Sequence, residues 1–157
     1  VNGVVLQGTG GQWHVGGDDG VTRLAALRGR VKHAGKLKLA VGDRVAIEPD
    51  AGGELWAITS IEPRRSALSR RSPGGAWGER VIAANLDQVV IVFAMVRPEP
   101  NEYLLDRFLV IVEANDLATR IVINKVDLAT EQEARTRFAC YERAGYPVHY
   151  TCIRTGA

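Results

Sequence analysis

Arg120-Ile121-Val122-Ile123-Asn124-Lys125-Val126-Asp127-Leu128 sets three consecutive β-branched residues directly before a polar triplet. The β-branched run predicts a short buried strand of a parallel sheet, and Asn124, Lys125 and Asp127 fall where that strand ends. Ligands of open α/β sheets bind at the carboxyl ends of the strands. The triplet therefore stands where a ligand is met.

The flanking sequence has the matching periods. Asp87 to Met95 is a continuous apolar run and reads as a second buried strand. Pro98 and Pro100 mark the loop after it, and Asn101 is placed to cap a helix that carries Leu104, Leu105, Phe108, Leu109, Ile111 and Val112 toward the sheet. A second helix is expected from Thr130 to about Arg143, with Thr130 and Glu133 spaced as a capping box. Gly145 ends it, and Pro147 to Thr151 reads as the next strand. Strand, helix, strand, helix, strand is half of a doubly wound parallel sheet.

The triplet's residue types suit guanine. A carboxylate at Asp127 accepts two parallel hydrogen bonds, and guanine presents two neighbouring donors, the ring N1–H and the exocyclic amine. Adenine offers a bare acceptor at N1, so the same carboxylate loses a charge-assisted bond. Asn124 can donate its amide to N7, and the aliphatic stem of Lys125 can lie over the flat base. A strand end with a solvated turn is the alternative reading of the same four residues.

The first 63 residues read differently. Val1 to Gln7, Gln12 to Val15, Val21 to Leu27, Val41 to Ile47 and Glu54 to Ile61 are short strands broken by glycine turns. Five such strands in about 60 residues predict a small closed barrel, an OB-fold by size and strand count, with an SH3-like barrel as the alternative. Between the third and fourth strands, Arg28, Arg30 and Lys32 alternate onto one face, and Lys36 and Lys38 continue the charge. Such a row can track a phosphate backbone, or it can be a solvated face that protects a sheet edge. Residues 64–80 are rich in Arg, Ser, Gly and Pro and read as a basic linker or loop, in which Arg64, Arg65, Arg70 and Arg71 add phosphate contacts and Trp77 stacks on a base or packs between domains.

Composition sets bounds on these readings. At 157 residues there is room for one or two small domains, and 46% apolar with 24% charged residues is an ordinary globular balance. No apolar run is long enough to span a membrane, and no basic region followed by an apolar stretch opens the chain, so no membrane association and a cytoplasmic location are expected. Cys140 and Cys152 lack metal-ligand spacing and are expected as small buried hydrophobes. His14, His33 and His149 stand singly, in ordinary surface or core roles. The net charge of +2 hides an asymmetry: residues 1–80 carry twelve Lys and Arg against eight Asp and Glu, and residues 81–157 carry eight against ten. A polyanionic partner for the first half follows as an expectation.

Taken together, the chain resembles the circularly permuted GTPases, and among them the small-ribosomal-subunit-dependent GTPase A family. The residues that carry the resemblance are Leu27-Arg28-Gly29-Arg30, Val41-Gly42-Asp43-Arg44-Val45, Ile82-Ala83-Ala84-Asn85-Leu86-Asp87-Gln88, Leu104-Leu105-Asp106-Arg107 and Asn124-Lys125-Val126-Asp127. The resemblance implies an OB-fold RNA-binding domain at 1–63, a basic linker at 64–80 and a partial permuted GTPase α/β domain at 81–157. It also implies a second base-contacting loop at Thr151, Cys152 and Ile153, where a backbone N–H meets the guanine O6. Cys152 stands where Ser or Ala is more usual, and a backbone contact survives that change.

The implied activity is hydrolysis of GTP to GDP, stimulated by the small ribosomal subunit during its late maturation. The implied partners are that subunit and its rRNA, bound by a monomer. The implied cofactors are GTP or GDP with Mg2+, and a structural zinc in a C-terminal segment.

No Gly-x-x-x-x-Gly-Lys-Ser/Thr occurs in the sequence, so the groups that hold the β and γ phosphates are absent. The expectation is one part of a longer protein, without catalytic or metal-binding residues of its own. Two or three base hydrogen bonds at roughly 0.5–3 kcal/mol each do not offset an association cost of about 4–15 kcal/mol. By itself this part should bind GTP weakly and hydrolyse none. The rival reading is a non-catalytic OB-fold RNA-binding module with a degenerate α/β appendage.

Overall fold

In the computed structural model, which describes residues 1–27, 38–50, 52, 55–71 and 79–154, the 121–123 run lies in the middle strand of a three-stranded parallel sheet. The strands are β8 (Val89–Ala94), β9 (Thr119–Asn124) and β10 (Val148–Thr151), in the order β10-β9-β8. Helix α1 (Glu102–Glu113) connects β8 to β9, and α2 (Glu131–Arg143) connects β9 to β10. Ile91, Ile121 and Ile123 share one core with Leu105 and Leu109 of α1 and Ala134, Phe138 and Tyr141 of α2. Both helices thus close on the same residues of the sheet, while Val90 and Val92 are exposed.

Both helices begin as their sequences predict. The Asn101 side chain accepts from the Leu104 N–H at 3.1 Å. At α2 the Thr130 hydroxyl accepts from the Glu133 N–H at 3.1 Å, and a Glu133 carboxylate oxygen accepts from the Thr130 N–H at 2.8 Å. The buried stripe of α1 is narrower than expected. Leu105, Leu109 and Val112 are buried, but Leu104 and Phe108 are exposed. Positions 105, 109 and 112 already cover one sheet face at helical spacing, and their neighbours turn away from it.

A separate unit spans Val1–Leu86, with the α/β part at Asp87–Ala157. Its barrel is built of β1 (Asn2–Thr9), β2 (Gln12–Gly17), β3 (Thr22–Leu27), β4 (Arg44–Pro49) and β5 (Trp56–Ile61), closed in the order β1-β2-β3-β5-β4. The β3–β5 pair is parallel and the remaining pairs are antiparallel. That order is OB-like, and it separates the two barrels the strand pattern left open. Val5, Val15, Ala25, Val45, Ile47 and Ile58 fill the interior with no or almost no exposed surface.

The stretch at 64–80 is not wholly a linker. β6 (Ala67–Arg71) and β7 (Glu79–Ala84) pair antiparallel, and the division between the units falls after Leu86 instead of near residue 80. Backbone pairing supplies the order that the composition of this stretch does not advertise. The hairpin joins the barrel at the turn before β4. The Ala84 N–H donates to the Val41 carbonyl at 2.8 Å, and Asn85 Nδ2 donates to the Gly42 carbonyl at 2.8 Å. Gly42 sits at φ +87, and a Cβ there would lie 2.0 Å from the Ala84 carbonyl oxygen, so glycine is required.

Among the described residues no helix is long and apolar enough to cross a membrane. Cys152 is buried as expected, but Cys140 is exposed, because it lies on the outer side of α2 from Phe138 and Tyr141. Trp77 and His33 lie outside the described residues.

Candidate functional site

The parallel register sets three strand ends side by side, with Asn124 paired to Ala94 of β8 on one side and to Thr151 of β10 on the other. Asn124, Lys125, Thr151 and Cys152 therefore meet at one rim, although they lie up to 28 residues apart in sequence. Ile121 and Ile123, buried below, pull β9 into the core and leave the residues after it at the carboxyl edge.

Asn124 is oriented from the protein side. Its Oδ1 accepts from the Lys125 N–H at 2.8 Å and lies 3.4 Å from the donating Thr151 hydroxyl. Nδ2 is left to donate to a ligand, as contact with a purine N7 requires. Lys125 then turns the chain at φ +62, and a short 3-10 turn, Val126–Leu128, carries Asp127. Asp127 is a surface residue, yet its side chain is only 22% exposed, so its backbone carries most of that exposure. Arg154 Nη1 is 4.0 Å from Asp127 Oδ2, at the outer limit of an ion pair, and the Arg154 side chain is 82% exposed. A pair that long on a solvated arginine leaves the carboxylate able to meet two N–H donors.

The Lys125 ammonium donates to the Arg97 carbonyl at 2.6 Å, in the loop after β8. Cys152 is buried and Ile153 is 83% exposed, so the loop after Thr151 turns one side chain in and the next out. Beneath the rim, Tyr150 lies under the Arg135 guanidinium, 4.8 Å from the ring centre, and burial pushes its phenol up to about 12.

The expected phosphate contacts divide. Lys38 and Arg70 are exposed. Arg65 is exposed too, and its guanidinium donates to the Asn85 carbonyl at 3.1 Å. Arg64 is otherwise engaged. Its Nε donates to Asp43 Oδ1 at 2.6 Å, and its Nη2 donates to Asp43 Oδ2 and to the Lys38 carbonyl at 2.8 Å each. The Asp43 side chain is fully buried, so Arg64 balances an internal charge instead of facing a phosphate. The Asp43 carboxylate raises the guanidinium's pKa further. Arg28, Arg30, Lys32, Lys36 and the Arg71 side chain lie outside the described residues.

Sequence reasoning quoted Asp43 and Asn85 within motifs but gave neither a contact, and it overlooked the Arg97 carbonyl. Asp43 left a faint signal, a lone acid between a glycine turn and an apolar strand. A backbone carbonyl leaves none.

Residues 61–157 match the model of the RsgA GTPase family. The chain is 58% identical over 157 residues to the small ribosomal subunit biogenesis GTPase RsgA of Gemmatimonas aurantiaca, covering 98% of this chain and 51% of that protein. A Chlorobaculum tepidum protein of the same name is 39% identical over 140 residues, covering 83% and 45%. Among solved structures, YjeQ from Thermotoga maritima aligns with a TM-score of 0.72 at 33% identity, covering 98% of this chain and 52% of that one. YloQ, described as a circularly permuted GTPase, aligns at 0.66 and 28% with the same coverage. The chain spans about half the length of the curated relatives it matches.

Proposed function

Because the chain belongs to the RsgA GTPase family, we propose that it supplies the guanine-recognition half, together with an RNA-docking barrel, of a GTPase that acts in small ribosomal subunit biogenesis. The relatives carry that activity in their names. Asp127 accepts from guanine N1–H and the exocyclic amine, and Asn124 Nδ2 donates to N7. The Lys125 stem covers one face of the base, and a backbone N–H of 151–153 meets O6. The single observation that supports this most is the doubly satisfied Asn124 Oδ1, which aims the amide outward beside a partly open carboxylate.

Phosphate binding, water activation and Mg2+ belong to the rest of the protein, since no phosphate loop occurs here. Among the described residues no group of His, Cys, Asp or Glu is placed to hold a metal ion. The barrel docks on rRNA through Arg28, Arg30, Lys32, Lys36 and Lys38, with Arg65, Arg70 and Arg71 adding phosphate contacts. The intact protein works in the cytoplasm as a monomer.

Competition for a fluorescent guanine nucleotide on the intact natural protein tests the base site. GDP should displace the probe and ADP should fail at the same concentration. Equal displacement by both would remove the assignment.

A further inference from the structure

We infer that the loop after β8 is a positioning element of the base site, acting through the Arg97 backbone carbonyl on the Lys125 side chain. The inference rests on the guanine reading above and extends it to a residue that need not touch the nucleotide.

Two residues in left-handed backbone meet at this one hydrogen bond. Lys125 lies at φ +62 and Arg97 at φ +53, and neither is a glycine or an asparagine. Such conformations are costly for ordinary side chains, and they persist where the surroundings impose them, often at ligand sites. The surroundings are identifiable. The Met95 N–H donates to the Asn124 carbonyl at 2.8 Å, which continues the β8–β9 pairing to the rim two residues before Arg97. On the far side of the loop, Arg137 Nη2 donates to the Pro100 carbonyl at 3.3 Å, and Arg137 Nε lies 2.7 Å from Glu102. With both ends held, the Arg97 carbonyl presents a fixed acceptor, and the Lys125 ammonium closes on it at 2.6 Å.

A lysine stem is flexible, and a free one gives a base no defined surface. Tethered at its ammonium, the same stem runs from the end of β9 toward the end of β8 and becomes a platform between Asn124 and Asp127. The anchor is a backbone atom, so what matters at position 97 is the φ angle it permits, not the guanidinium it carries.

That distinction sets the test. Arg97→Val and Arg97→Gly both delete the arginine side chain, but a β-branched residue resists positive φ and glycine accepts it. In the intact natural protein, Arg97→Val should weaken GDP binding several-fold, because a β-branched side chain resists positive φ more than the arginine it replaces. Arg97→Gly should bind within about twofold of the parent. In a Lys125→Met background the ammonium is gone, so Arg97→Val should add no further loss.

Equal binding by Arg97→Val and the parent overturns the inference. So does equal weakening by both position-97 variants, which would mean a side-chain contact, and so does an Arg97→Val loss that persists beside Lys125→Met, which would mean general destabilisation. A parent protein that does not prefer GDP to ADP overturns the guanine reading itself, and the positioning role falls with it.

Discussion

At the scale of single residues, the proposed guanine reading has Asp127 count hydrogen-bond donors on one edge of a purine. Replacing Asp127 by Asn removes one acceptor oxygen and supplies a donor. The amide can meet the carbonyl that xanthine carries where guanine has its amine. Asp127→Asn should therefore trade GDP for XDP preference in nucleotide competition on the intact protein, and retained GDP preference would count against the pairing. A second single-residue prediction concerns stability. Arg64→Ala strands the fully buried Asp43 carboxylate and should cost about 3–5 kcal/mol in chemical denaturation of the barrel unit. A loss under about 1 kcal/mol would show the pair to be a surface-type bridge. The role proposed for Asp127 was legible because a carboxylate's acceptors follow from its chemistry. That of Arg64 was not, because an arginine in a basic stretch gives no sign that an acid 21 positions earlier will be buried beside it.

At the scale of elements, α2 starts at a capping box that sequence spacing located and the structure contains. Thr130→Ala should lower stability by about 1 kcal/mol, read as a shift in denaturation midpoint. The same box predicts a pH dependence with a definite sign. The backbone N–H of Thr130, with its hydroxyl, holds the Glu133 carboxyl below its ordinary value of 4.5. A carboxyl lowered in the folded state stabilises fully above its unfolded pKa, and that contribution is lost as pH falls through the folded value. The Glu133 carbon resonance should accordingly titrate below 4.5 in the parent and move up toward it in Thr130→Ala. No difference between the two would detach the shift from the Thr130 hydroxyl and leave it to the backbone N–H, which alanine keeps. The face of α1 was less legible. Apolar residues at 104, 105, 108, 109, 111 and 112 describe a wide stripe, and periodicity alone cannot say that only 105, 109 and 112 meet the sheet.

At the scale of the whole molecule, the basic excess belongs to the first 80 residues and the slight acidic excess to the remainder, in keeping with the proposal that the barrel docks on RNA and the α/β part reads a base. Replacing Arg28, Arg30 and Lys32 together with Ala should weaken binding to the small ribosomal subunit. It should also lower the slope of log affinity against log salt by about 2–3, near 0.7–0.9 for each phosphate no longer neutralised. An unchanged slope would remove these residues from the interface. By itself the amino-acid order determined the two-part architecture, the helix starts and the buried strand, and it supplied the donors and acceptors on which the proposed guanine contacts rest. These rest on local rules: side-chain periodicity, capping stereochemistry and the donors and acceptors each residue carries. Only the folded chain decided that the barrel closes in OB-like order, that residues 67–71 and 79–84 form a hairpin, that Arg64 neutralises Asp43, and that Thr151 and the Arg97 carbonyl converge on Asn124 and Lys125. Those are long-range pairings, and their partners are chosen by burial and strand register, which no short window of sequence contains.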